Sequence, residues 1–124
     1  MLQQAKAQAP IEACGILAGK DGRVEKFYAM TNADQSSDHF TMAPHEQFKT
    51  AKDIRSAGLE MLAIYHSHPA SPARPSQEDI RLALTPDVIY VIVSLQNADP
   101  VAKGFLIENA SVSKVDVNIV KESK

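Results

Sequence analysis

An α/β domain, with helices packed against a mixed β-sheet, is the fold class this sequence predicts. Three observations carry it. Residues 88–95 form a nearly unbroken β-branched and apolar run, the pattern of a strand covered on both faces. Residues 61–65 are a second apolar run of strand length. Stretches with helical spacing lie among the strands instead of apart from them, so the helices can cover both faces of one sheet. The chain has 124 residues, enough for one compact domain over 1–124 with a real core, and not for two. No internal repeat, low-complexity tract or linker divides it.

The elements follow in order. Residues 2–8, rich in Ala, Gln and Lys, tolerate helix, and Pro10 stops them. Residues 11–18 read as a strand with small residues interleaved. Lys20-Asp21-Gly22-Arg23 is a hairpin turn, because Asp-Gly tolerates positive φ, and 24–30 is the returning strand. Residues 32–38 are polar loop, and 39–42 read as a short strand. Pro44 suits a first helical turn; Phe48, Ala51, Ile54 and Arg55 follow with helical spacing until Gly58. The strand at 61–65 delivers His66 and His68, and a loop stiffened by Pro69, Pro72 and Pro75 comes next. Ser76-Gln77-Glu78-Asp79 opens a short helix with Ile80, Ala83 and Leu84 on its apolar side, closed by Thr85-Pro86. Residues 101–107 are a strand. The strict alternation over 115–119 predicts a half-exposed strand near an edge.

Composition excludes several classes. Hydrophobic residues at 44% and charged residues at 23% are ordinary globular values. The net charge is −2 with both signs spread along the chain, so no basic stripe points to nucleic acid. No window approaches the roughly 20 apolar residues that span a bilayer, and residues 1–9 lack a signal-peptide core. Cys14 is the single cysteine, which leaves no internal disulfide and fits a soluble protein of the reducing cytoplasm.

The chemistry concentrates at 66–79. Side chains on a strand repeat every two residues, so His66 and His68 point to one face. Two same-face histidines with a nearby carboxylate are what a catalytic zinc needs, the fourth position going to water. Asp79 has a second reading, since Ser76-x-x-Asp79 has the form of a capping box. Glu12 stands in an otherwise apolar strand, where an acid at a strand entrance is ordinarily solvated or paired with a lysine. Cys14, two residues on, shares its face and reads as a small buried hydrophobe. His39 and His45 read as surface or loop residues.

His66, His68, Ser76 and Asp79 fill the pattern H-x-H-x(7)-S-x-x-D, which resembles the motif of the JAMM (MPN-plus, JAB) zinc metallopeptidase family. The segment Pro10-Ile11-Glu12-Ala13-Cys14-Gly15, about fifty residues earlier, resembles the short prokaryotic form of that family's glutamate segment. The resemblance covers nearly the whole chain, although the family's opening helix is usually longer than residues 2–8. It implies a three-layer, cytidine-deaminase-like MPN fold. It also implies one Zn²⁺ per chain held by His66, His68 and Asp79, with Glu12 as general base and Ser76 as donor to the oxyanion. Short relatives of this type resemble enzymes that cut after the C-terminal Gly-Gly of ubiquitin-like or sulfur-carrier proteins. That makes such a protein the implied partner, with neither nucleic acid nor membrane.

Three other functions compete. A non-catalytic MPN-type binding scaffold typically lacks metal ligands that are all present here. A zinc hydrolase of cell-wall peptides or small amides shares the motif. A nucleobase deaminase fails, because its H-x-E and P-C-x-x-C motifs are absent.

Overall fold

The computed structural model describes residues 1–37, 39–81, 83, 88–108 and 110–117, with only the backbone of Glu78. The elements are α1 (Leu2–Gln8), β1 (Cys14–Lys20), β2 (Arg23–Met30), α2 (Pro44–Ser56), β3 (Glu60–His68), α3 (Gln77–Arg81), β4 (Ile89–Ser94), β5 (Val101–Glu108) and β6 (Ser111–Val115). The strands form one mixed sheet in the order β2-β1-β3-β4-β5-β6. Only β3 and β4 run parallel, and α3 lies in the connection between them. The predicted α/β class holds.

Pairing fixes which residues share a face. Met30, Cys14, His66 and Ile92 lie in one row across four strands, and Ala29, Gly15, Tyr65 and Val91 in the next. Side chains alternate along each strand, so the two rows face opposite ways. On the Tyr65 side, Leu17, Ala63, Tyr65, Val91 and Val93 form a core with Ala5 of α1. On the His66 side, Cys14, Ile16, Met30 and Ile54 of α2 pack together, and Ile92, Tyr90 and Phe105 pack with Ile80 of α3. This is the predicted three-layer arrangement. It sends both histidines to the face covered by α2 and α3.

The Asp-Gly hairpin is as predicted: Asp21 and Gly22 have φ of 51° and 76°, and Lys20 pairs with Arg23. Gly15 is required by space, because a Cβ there would stand 2.6 Å from the Phe27 ring and 2.7 Å from the Tyr28 carbonyl. On β4, five consecutive residues from Tyr90 to Ser94 are buried, as expected for a strand covered on both faces.

Three expectations are corrected. First, β1 begins at Cys14, so Glu12 precedes the strand instead of lying within it. The ladder stops there because the Ser67 hydroxyl, not a backbone carbonyl, accepts the Ala13 N–H at 2.8 Å. Second, residues 39–42 form no strand; a single bridge joins Asn32 to Met42. The Asn32 side chain has taken the Thr41 N–H that a longer ladder would use. Third, the edge strand is 111–115, earlier than the alternation suggested. A two-residue connection joins the paired Glu108 and Ser111, with Ala110 at φ 65°. The helix expected from Pro44 is present as α2, which buries Thr50 and Ile54 and leaves Phe48 80% exposed. Leu84, Thr85, Pro86, Asn118 and Ile119 lie outside the described residues.

Candidate metal centre

The C-terminal end of β3 carries His66 and His68, both buried. The loop after it returns Asp79 on the first turn of α3. Three distances define the cluster: His66 Nε2 to His68 Nε2 is 3.1 Å, His66 Nε2 to Asp79 Oδ1 is 3.1 Å, and His68 Nε2 to Asp79 Oδ2 is 3.0 Å. Bonds of about 2.0 Å place the ligand atoms of a tetrahedral ion roughly 3.3 Å apart. The two ring nitrogens already stand near that separation, and Asp79 sets one carboxylate oxygen at a similar distance from each of them. Among the described residues, these three side chains are the group of metal-ligating type brought together.

The protonation pattern fits the same conclusion. His68 Nδ1 stands 2.9 Å from the Pro72 carbonyl, which can only accept, so Nδ1 carries a proton. In the neutral ring that leaves the Nε2 lone pair facing His66 and Asp79, the orientation a ligand needs. Burial holds His66 below the ordinary histidine range, which keeps its imidazole neutral. For His68, burial works downward, but Asp79, the Pro72 carbonyl and the charge of Glu12 outweigh it and hold the ring above that range. Burial pushes the Asp79 carboxyl up, while hydrogen bonds to both histidines and the Ser76 N–H pull it far below the carboxylate range. Asp79 is thus held ionised and favours a positive charge beside it, carried in the absence of a cation by a proton on the histidine side. A cation set between three such groups would replace that proton. His66 Nδ1 is buried with no hydrogen-bond partner among the described residues.

The two readings of Ser76-x-x-Asp79 are compatible. Asp79 N–H donates to Ser76 Oγ at 3.0 Å, and Ser76 N–H donates to Asp79 Oδ2 at 2.9 Å. This reciprocal pair is a capping box. It fixes the carboxylate with one oxygen toward each histidine, so the cap orients the ligand. Ser76 Oγ accepts in this pair and keeps its own proton for donation.

Glu12 is 2% exposed and close enough for its charge to act on His68. Ala13 and Ser67 exchange two bonds, Ala13 N–H to Ser67 Oγ and Ser67 N–H to the Ala13 carbonyl at 2.9 Å. This continues the β1–β3 register past Cys14 and His66, setting Glu12 beside His68. Cys14 lies in the apolar cluster with Met30, Met42 and Ile54, and burial first, then the charges of Glu46 and Glu12, push its thiol up to about 12.

A cleft of about 130 Å³ opens beside the cluster, lined by His39, Phe40, His66, Asp79, Tyr90, Ile92 and Ile107. The Phe40 ring stacks on His66 at 4.8 Å between centroids. His39 and His45 are outside the ligand cluster, as expected, but His39 lines this cleft. The sequence reading missed four contributors: Pro72, Ser67, Phe40 and Asn32. A carbonyl acceptor leaves no trace in a sequence. Asn32 and Phe40 stand in a loop with no period to read.

Comparison with known proteins agrees with this geometry. Residues 1–105 match the family model described as prokaryotic homologs of the JAB domain. The chain is 37% identical to the CysO-cysteine peptidase of Mycobacterium tuberculosis, over 98% of this chain and 86% of that protein. It is 35% identical to the desampylase of Pyrococcus furiosus, over 71% of this chain and 63% of that one. A solution structure of a Desulfitobacterium hafniense protein superimposes with a TM-score of 0.88 at 46% identity, covering 98% of this chain and 87% of the other. With that match over most of its length, the chain belongs to the prokaryotic JAB-domain family.

Proposed function

We propose that this protein is a zinc-dependent peptidase, a JAMM-type metallo-isopeptidase that hydrolyses the amide bond after the C-terminal Gly-Gly of a ubiquitin-like or sulfur-carrier protein. The observation that carries the reading is the convergence of His66 Nε2, His68 Nε2 and the two Asp79 carboxylate oxygens, one oxygen facing each histidine, at 3.0–3.1 Å. These three residues would hold one Zn²⁺ per chain. When bound, the ion supplies Lewis acidity toward water and the amide carbonyl. Glu12 accepts the proton of the attacking water on its carboxylate and delivers it to the departing amine nitrogen. The Ser76 hydroxyl donates its remaining proton to the carbonyl oxygen as that atom gains charge. Phe40, Tyr90, Ile92 and Ile107 give the cleft apolar walls that exclude water. A cleft this narrow suits an extended tail without side chains, as Gly-Gly is. Relatives named as a CysO-cysteine peptidase and a desampylase support the substrate class.

The experiment is mass spectrometry of zinc-loaded protein incubated with a sulfur-carrier protein extended by one residue beyond its Gly-Gly. Wild type should yield a product ending at Gly-Gly. Glu12→Gln should bind one zinc and turn over about 10²–10⁴ times more slowly. An intact carrier in the presence of zinc-loaded wild type would overturn the substrate assignment. Equal turnover by Glu12→Gln would remove Glu12 from the role of base.

A further inference from the structure

We propose that Asn32 is a positioning residue for Glu12, tying the backbone of the general base to the loop that walls the cleft. This rests on the reading of Glu12 as base given above. Asn32 is 6% exposed and lies at the start of the loop between β2 and α2. Its Nδ2 donates to the carbonyls of Glu12 and His39, each at 3.0 Å, with the Ser36 carbonyl at 3.5 Å. Its Oδ1 accepts the N–H groups of Asp34 at 3.1 Å and Thr41 at 3.2 Å. Carbonyls surround one end of the amide and N–H groups the other, so only one orientation satisfies them.

Those bonds have two destinations. One is the peptide of Glu12, whose own N–H donates to the Ser36 carbonyl of the same loop at 2.8 Å. The other is the stretch 39–41, which carries His39 and Phe40 into the cleft. Glu12 stands before the first residue of β1, beyond the reach of the regular ladder. Without Asn32 its carbonyl would lose the side-chain donor that links it to this loop. Base and cleft wall are thereby set relative to one another by the Asn32 amide, together with the bond from Glu12 to Ser36. His68 and Asp79 are held separately, by the end of β3, Pro72 and the capping box; His66 meets this loop through the stacked Phe40 ring, and Asn32 itself bonds to none of the three. An effect transmitted through Glu12 can therefore be separated from an effect on the ion.

In the wild-type protein, NMR should show the Asn32 side-chain NH₂ protons and the Glu12 and Thr41 amides protected from hydrogen exchange. Asn32 side-chain protons exchanging as fast as those of surface amides would overturn the proposal without any mutant. Asn32→Ala should still bind one zinc, should raise exchange at the Glu12 amide, and should lower kcat by about 10²-fold with less change in KM. In a Glu12→Gln background the same substitution should cost little more, because the group it positions no longer works. An undiminished loss there would show that Asn32 acts through the fold or another group. If Glu12→Gln proves fully active, the base reading fails, while the exchange result still reports whether Asn32 holds that backbone.

Discussion

The ligand side of the site and the base side are fixed over different distances along the chain. His68 is held by Pro72 and Asp79, four and eleven residues away, and Asp79 by Ser76, three residues away. The Glu12–Ala13 segment is held by Asn32 and Ser67, across 20 and 54 residues. Local bonds make the ligand side a property of one hairpin-like stretch of sequence. The base side exists only once the sheet and the loop between β2 and α2 have assembled.

The largest expected effect tests the ligand side. In the proposed site Asp79 would join two functions in one carboxylate, so Asp79→Ala should abolish zinc binding and turnover together. It should also lower unfolding free energy by about 1 kcal/mol through loss of the cap. Metal analysis and thermal denaturation of the metal-free protein read these separately. Retention of one zinc per chain by the variant would break the assignment of Asp79 as ligand. A drop in stability without loss of metal would leave it a cap alone.

Ser76 should give the next effect and sharpen the same division. Ser76→Ala should keep zinc, lose about 1 kcal/mol of stability and lose about 10²–10³ in kcat. Ser76→Gly distinguishes the two losses, since glycine at an N-cap costs only a few tenths of a kcal/mol. If Ser76→Gly recovers stability but remains as slow as alanine, the hydroxyl acts on the reaction. Recovery of both would reduce Ser76 to a helix cap.

The same contrast explains what the sequence could show. The ligand side was legible because two periodicities meet in it, the two-residue repeat of a strand and the three-residue offset of a capping box. The core strands 61–65 and 88–95 were legible as apolar runs. Glu12 was legible only through its family segment, because an acid before a strand carries no signal of its own. Asn32 was hidden, since a polar loop residue reads the same whether solvent or five backbone groups surround it. Residues 39–42 were misread as a strand for that reason, as the asparagine amide replaces the ladder. The spacing that marks α2 does not name its buried side: Phe48 is exposed, and Thr50 and Ile54 are the residues it buries.

Cys14 gives the smallest expected effect and tests where the two sides meet. It pairs directly with His66 across β1 and β3 and stands two residues from Glu12, so proximity alone would nominate it for chemistry. Its surroundings argue otherwise. The thiol is fully buried among Met30, Met42 and Ile54, and burial with two nearby carboxylates raises it to about 12. The thiolate is the reactive form, so at pH 7.5 roughly one molecule in 10⁴–10⁵ carries it. Folded protein should therefore resist alkylation by iodoacetamide at neutral pH, whereas protein in denaturant should be labelled at the rate of an ordinary cysteine. Raising the pH toward 9 should speed labelling of the folded form only in proportion to the small thiolate fraction. Fast labelling at neutral pH, with loss of activity, would mean that the cleft reaches Cys14 and that the boundary between the apolar cluster and the site lies closer to α2 than the packing indicates.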